Sequence, residues 1–206
     1  MVRNLTEIPE EVIANLYSNG VVVYPTSTLP GLGCLPNSDA LDTLYRIKNR
    51  PWTQPVSLGV ASLNQAEQLV HVPQIARKIL DAFPKGSITL ILDAIETLDD
   101  RLGGNRVAVR VLSDERGLAL VKEIGPITAT SANHSGVEPL YSTTLAAKAL
   151  ELDENSIVVG KCPGGAPSTI LSVQKSNAKS NDYTVTIMRE GVVPQADVMK
   201  WWTIPV

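Results

Sequence analysis

Two short polar loops hold the residues with the most evident chemistry. The first is YPTSTLPGLGC, from Tyr24, and the second is SANHSG, from Ser131. Each follows a strand-like apolar run, Val21–Tyr24 and Ile127–Thr130. In α/β proteins ligands sit at loops that leave the carboxyl ends of strands. Between the two loops lie KNRP, from Lys48, and RVAVR, from Arg106. Hydroxyls, glycines and convergent cations together suit a phosphate-bearing ligand, because all of them present donors or positive charge to anionic oxygens. The pattern predicts one shared pocket.

Each of these signals also has a plainer meaning. Lys48 and Arg50 fall at the end of a predicted helix, where cations complement the exposed carbonyls. Alternatively they clamp a polyphosphate, with Arg50 supplying fork geometry and Pro51 fixing the chain behind it. Arg106, Ala108 and Arg110 share one face of a strand, with Val107, Val109 and Val111 on the other. That polar face suits solvent or an anion. Thr26, Ser27, Thr28, Ser131, Asn133 and Ser135 are turn formers as well as ligand donors. No G-x-S-x-G elbow marks a nucleophilic serine. The only histidines are His71, in an apolar segment and read as structural, and His134, inside the second loop. The Gly164-Gly165 loop is not a Walker motif, and no G-x-G-x-x-G opens a helix after a strand.

The elements that must position these loops follow from periodicity and punctuation. Helices are predicted over residues 10–19, 38–48 with Ser38 or Asp39 as the cap, 62–70, 73–83, 113–124 with Ser113 as the cap, and 144–150. Strands are predicted over 21–24, 56–61, 88–92, 107–112, 127–130, 157–159, 169–173 and 183–188. The segment Pro25–Asn37 carries three prolines and two glycines and reads as irregular. Asp93–Asn105 reads as an irregular connection, and the polar stretch from Gln174 as an exposed, mobile hairpin loop. Helices and strands alternate early and strands pair late, which predicts an α/β (α+β) layered fold with a mixed sheet.

The whole chain sets further bounds. Its 206 residues, 44% hydrophobic and 19% charged, fit one domain spanning residues 1–206, in which residues 190–206 form a tail packed back through Trp201 and Trp202. Aromatics are 4%, so the core must be aliphatic. A net charge of −3 argues against a dedicated nucleic-acid binder, although a local cleft can still be positive. Cys34 and Cys162 form neither a ligand spacing nor a disulfide framework and read as free thiols of a reducing compartment. The N-terminus lacks signal-peptide features, and no apolar run approaches the ~20 residues of a membrane span. A cytoplasmic protein without a membrane partner is expected.

Six segments, in order, resemble the YrdC-like family of threonylcarbamoyl-AMP synthases. They are PTSTLPGLG from Pro25, KNRP from Lys48, VAVR from Val107, PITATSANHSG from Pro126, STI from Ser168 and REG from Arg189. The resemblance implies a twisted, open mixed sheet with flanking helices and a concave ligand cleft. It implies synthesis of threonylcarbamoyl-adenylate from L-threonine, bicarbonate and ATP, with release of pyrophosphate. That nucleotidyltransferase product would feed tRNA threonylcarbamoyladenosine modification, completed by other proteins. The resemblance further assigns Thr26, Arg110, Ala129 and Ser168 to threonine, and Arg50, Gln54, Arg106, Ser131, Asn133 and Arg189 to ATP. Lys48 and Arg50 would be the catalytic pair at the phosphates. Mg²⁺ would be held mostly by ATP and water, with no protein metal site.

Several positions depart from the family pattern. Ser27 stands where an acidic residue is usual, Pro30 replaces a Tyr and Pro139 a Ser. Gly59 aligns with a His of some members. Gln54 occupies a frequent Asn position, and Arg106 a frequent Thr position. Two other activities remain open: an RNA-binding module with little catalysis, and a carbamoyl-adenylate-forming relative. Salt-dependent tRNA binding without ATP turnover would mark the first, and pyrophosphate release with carbamoyl phosphate alone the second.

Overall fold

The chain enters its fold at Pro9, whose φ of −59° suits a helix start, so α1 (Glu10–Tyr17) begins at once and presents Val12 and Leu16 inward. The structure is a computed structural model, and it describes residues 7–176 and 183–203. After α1 come β1 (Val22–Tyr24), β2 (Gly31–Gly33), α2 (Ser38–Lys48), β3 (Leu58–Val60), α3 (Leu63–Ala66) and α4 (Gln74–Ala82). Then follow β4 (Ile88–Asp93), β5 (Arg106–Val111), α5 (Glu115–Ile124), β6 (Ile127–Thr128), β7 (Thr130–Ser131) and α6 (Thr143–Ala149). The pair β8 (Thr169–Lys175) and β9 (Tyr183–Arg189) precedes a last helix, α7 (Gln195–Thr203).

The strands form two sheets. The larger has the order β6-β3-β5-β4-β8-β9, with β3 parallel to β5, β4 parallel to β8, and the other neighbours antiparallel. The smaller is the antiparallel ribbon β1-β2-β7. Strand alternation in β1 divides the interior. Val21 and Val23 join a large aliphatic core with Leu41 and Leu44 of α2, Ile79 of α4 and Leu90 of β4. Val22 and Tyr24 join a second core with Val12 and Leu16 of α1 and with Leu120 and Val121 of α5. The ribbon is therefore gripped from both faces, which fixes the loop that leaves it.

The structure corrects several expected boundaries. Pro25–Asn37 is not wholly irregular, since Gly31–Gly33 pairs with both β1 and β7. The predicted strand 127–130 is broken at Ala129, so its halves belong to different sheets. Ser57 causes the break by taking both backbone groups of Ala129: its carbonyl accepts the Ala129 N–H, and its hydroxyl donates to the Ala129 carbonyl, both at 2.7 Å. The helix expected over 62–70 stops at Ala66, because Val70 bridges Ala94 and the His71 N–H is drawn to the Asp93 carbonyl. Asp114 caps α5 instead of Ser113, whose hydroxyl donates to the Lys85 carbonyl. Residues 157–159 make a single bridge, Val23 to Ile157, rather than a strand. The tail forms α7, and Trp201 meets Phe83 edge-on at 5.9 Å. Part of the predicted hairpin loop, residues 177–182, lies outside the described residues.

Candidate functional site

Ala129 marks the seam between the two sheets, and a cavity of about 210 Å³ opens beside it. The first loop supplies Thr26 and Thr28, and the second strand-end supplies Ala129 and Ser131. Arg50 enters from the turn after α2, Arg110 from β5, Ser168 from the lead into β8, and Arg189 from the end of β9. Elements far apart in sequence thus meet because the ribbon docks against the seam of the larger sheet. Among the sequence-predicted residues, the cavity wall brings together Thr26, Arg50, Arg110, Ala129, Ser131, Ser168 and Arg189.

Arg110 stands deep, 7% exposed, and is held on three sides. Its Nε donates to the Gly86 carbonyl at 3.0 Å, and its Nη2 donates to Ser27 Oγ at 3.2 Å and to Thr28 Oγ1 at 2.9 Å. Nη1 makes no protein hydrogen bond among the described residues. Burial weakens its hold on the proton, opposed by Tyr24 and reinforced by the positive charge of Arg189. Arg50 is more open. Its Nε donates to the Gln54 carbonyl at 2.8 Å and its Nη2 to the Pro55 carbonyl at 3.0 Å. Arg189 donates from Nη2 to the Ser168 carbonyl at 2.8 Å, and its affinity for its proton is lowered by desolvation and then by Arg50. No carboxylate lines the cavity, and none of these three arginines forms an ion pair among the described residues. Three like charges on one carboxylate-free wall, with Arg189 weakening the proton hold of Arg110 and Arg50 that of Arg189, favour an anion between them.

The hydroxyls are set by local turns. Thr26 Oγ1 donates to the Leu29 carbonyl at 2.7 Å and accepts the Thr28 N–H at 3.2 Å, which closes the first loop on itself. Ser168 Oγ shares a 2.8 Å hydrogen bond with Thr89 Oγ1. Gly31 and Gly33 are required by close packing: a Cβ at Gly31 would lie 2.7 Å from Tyr24 Cζ, and one at Gly33 2.7 Å from Ile127 Cδ1 and 2.9 Å from Tyr24 Cε1.

Four predicted residues stand elsewhere. Lys48 is 1% exposed and lies behind the second loop, not on the wall. Its Nζ donates to the Ser131 carbonyl and, at 2.7 Å, to the Asn133 carbonyl, while its own carbonyl accepts the Ser135 N–H at 2.9 Å. Burial, and secondarily the Arg50 charge, pulls the ammonium down to about 8. Asn133 folds its Nδ2 onto the His134 carbonyl at 3.0 Å and the Val137 carbonyl at 2.5 Å, leaving Oδ1 buried with no donor among the described residues. Gln54 is exposed and contributes through its carbonyl, which also accepts from Tyr45 Oη at 2.8 Å. Arg106 turns away from the cavity because Asp93 pairs with it and Ser172 Oγ accepts from it at 2.7 Å.

Ser57 and Thr89 line the wall and went unremarked in the sequence. The polar positions inside otherwise apolar strand runs were their signal. Of the histidines, His71 is exposed rather than internal, and His134 is exposed in the second loop. Cys34 and Cys162 are free and buried, with burial pushing the Cys34 thiol up to about 12. Among the described residues no cluster of three or more acidic, histidine or cysteine side chains offers a metal site. No described helix is long and apolar enough to cross a membrane.

This is a mixed-sheet protein with an arginine-walled cavity at the junction of two sheets, a setting whose charge suits a small anionic ligand. Comparison with known proteins makes the class specific. The family model Sua5/YciO/YrdC, described as "Telomere recombination", matches residues 14–191, and the chain belongs to that family. It is 32% identical over 178 residues to a putative threonylcarbamoyl-AMP synthase of Methanocaldococcus jannaschii, covering 84% of this chain and 81% of that one. It is 36% identical over 169 residues to the threonylcarbamoyl-AMP synthase of Bacillus subtilis, covering 79% of this chain but only 49% of the relative. Among solved structures, P. abyssi Sua5 complexed with L-threonine superposes with a TM-score of 0.77 at 28% identity, over 94% of this chain and 58% of that one. E. coli YciO shares the fold, with a TM-score of 0.71 at 23% identity, over 91% and 93% of the two chains. This chain therefore spans about half the length of some of the relatives it matches.

Proposed function

We propose that this chain is an L-threonylcarbamoyladenylate synthase, a nucleotidyltransferase acting on L-threonine, bicarbonate and ATP. The observation that carries the reading is the convergence of Arg50, Arg110 and Arg189 on one cavity that holds no carboxylate. The likeness to an L-threonine-bound Sua5 and to curated synthases supports the choice of substrates. The cavity volume, about 210 Å³, falls below the ~300 Å³ at which drug-sized ligands begin to fit. The amino acid suits its interior, and the nucleotide spreads across its mouth.

In this reading Arg110 receives the threonine carboxylate through its free Nη1, between Thr26, Ala129 and Ser168. Arg50, Arg189 and Ser131 face the triphosphate. Lys48 acts from behind by fixing the Ser131 and Asn133 carbonyls, and Gln54 fixes Arg50. The threonine amine and bicarbonate combine, with loss of water, into an N-carboxy group. Its carboxylate oxygen attacks the α-phosphorus of ATP, a P–O bond forms, and pyrophosphate leaves with the electron pair of the bond that breaks. No protein nucleophile is needed. Arginine charge and positioning lower the barrier, and such preorganised groups typically contribute ~10²–10³ each. The cavity wall offers no carboxylate to a magnesium ion, so Mg²⁺ would arrive coordinated by ATP and water, and no step here depends on it.

The adenylate would then serve tRNA modification in the cytoplasm, with partner proteins making the transfer. A direct tRNA contact is not required by this site. The chain would act as one domain, its helical tail included. The test is pyrophosphate release from ATP. Release that requires both L-threonine and bicarbonate supports the reading, and release indifferent to threonine overturns it.

A further inference from the structure

Arg110 does not hold its own position. Three of its five N–H groups are spent on the Gly86 carbonyl, Ser27 Oγ and Thr28 Oγ1. Thr28 is itself buried within the first loop, whereas Ser27 reaches Arg110 from the loop's partly exposed side. The turn bearing Gly86 is pressed against that side. Gly86 has a φ of +76°, and a Cβ there would lie 2.4 Å from Ser27 Oγ and 2.5 Å from Ser113 Oγ. Ser113 Oγ in turn donates to the Lys85 carbonyl at 3.0 Å. Gly86 and Ser27 therefore touch each other and touch the same guanidinium from two directions.

We infer that Ser27 and Gly86 are a coupled pair of positioning residues that aim Arg110 Nη1 at the substrate carboxylate and so set the affinity for the amino acid. The inference rests on reading the deep end of the cavity as the amino-acid seat. Neither residue needs to touch substrate. Ser27 fixes the rotation of the guanidinium about its long axis. Gly86, lacking a side chain, lets its carbonyl and the Ser27 hydroxyl approach Arg110 together. A fork held on one edge presents the other edge with little left to order on binding.

The test is a mutant cycle read by separate Michaelis constants. Ser27→Ala should raise KM for L-threonine about tenfold, the scale of one hydrogen bond to a charged group, with kcat and KM for ATP within about twofold of wild type. Ser27→Thr, which keeps the hydroxyl, should restore the affinity. Gly86→Ala should also raise KM for L-threonine, but less so when Ser27 is already Ala, because the nearer of the two hydroxyl oxygens it strikes, the one that bonds Arg110, is gone. Independently of substrate, the Arg110 Nε–H resonance, assigned by its loss in Arg110→Lys, should exchange with water several-fold faster in Ser27→Ala. An unchanged threonine KM, both KM values rising together, multiplicative effects of the two substitutions, or an unmoved Nε–H exchange rate would each overturn the pairing. A wild-type chain without threonine-dependent pyrophosphate release, but with an Nε–H that responds to Ser27→Ala, would overturn the functional reading while upholding the positioning.

Discussion

The deep and shallow ends of the cavity use the same side chain in opposite ways. Arg110 is sunk into the seam and held by Gly86, Ser27 and Thr28. Arg50 and Arg189 stand at the mouth, each steadied by main-chain carbonyls of its own surroundings. A guanidinium in a desolvated, fixed setting discriminates by geometry, since a misplaced anion leaves it unpaired. Guanidiniums at the mouth act more through field, which suits a long, flexible triphosphate. Under the proposed function, one end would choose a small carboxylate and the other would gather charge.

Breaking the shallow end should have the largest effect. Arg50→Ala is expected to lower kcat by about 10²–10³-fold, because charge developing on the leaving phosphates loses a fixed donor. KM for L-threonine should stay within about twofold. Arg110→Lys is the mirror case, losing the fork but keeping a charge, so threonine KM should rise by about 10²-fold while KM for ATP moves little. Steady-state kinetics with each substrate varied in turn reads both. If the two substitutions alter the same constant, the ends are not distinct.

Lys48 sharpens the comparison from behind. Its buried ammonium titrates near 8 and holds two carbonyls of the second loop. Turnover should therefore fall on the alkaline side with an apparent pKa near 8, and the pH–rate profile of Lys48→Arg should lose that limb because a guanidinium stays charged. Stability runs the other way. The folded pKa lies below the ordinary 10.5, so between about 8 and 10.5 the unfolded chain binds more protons than the fold. Over that window wild type should gain stability relative to Lys48→Met as pH rises. A difference in melting temperature that is flat or shrinks with pH would contradict the assignment.

Sequence logic reached the two ends of the cavity unequally. The loops and cations were legible because hydroxyls, glycines and arginines recur at the ends of apolar runs. Helix α2 was legible almost to the residue, although Asn37, not Ser38 or Asp39, accepts the Ala40 N–H as its cap. What escaped was set by contacts distant in sequence. Glycines usually weaken a strand, so residues 31–33 read as loop, yet Gly31 and Gly33 are glycines because the Tyr24 ring, joined at Gly33 by Ile127, occupies the space of their side chains. The strand-like run 127–130 gave no hint that Ser57 would divide it between two sheets. Lys48 reads as a phosphate ligand by its neighbours in sequence, but the second loop folds over it. The neighbours that decide such roles arrive only with the tertiary structure.

Arg106 gives the smallest expected effect and the cleanest control. It lies on the same face of β5 as Ala108 and Arg110, and alternation alone would seat it with them at the anion. Among the described residues Arg110 meets no carboxylate, whereas Arg106 meets Asp93, and also donates to Ser172 Oγ at 2.7 Å and to the Val173 carbonyl at 3.2 Å. The pair is partly exposed, with side-chain exposures of 28% and 48%, so water screens it and it contributes at most about 1 kcal/mol. Arg106→Ala should therefore lower the melting temperature by no more than about 2–4 °C and leave kcat and both KM values unchanged. A rise in KM for ATP comparable to that of a cavity arginine would place Arg106 at the nucleotide after all. It would mean that Asp93 releases it on binding, and that the shallow end of the cavity extends along β5 beyond Ala108.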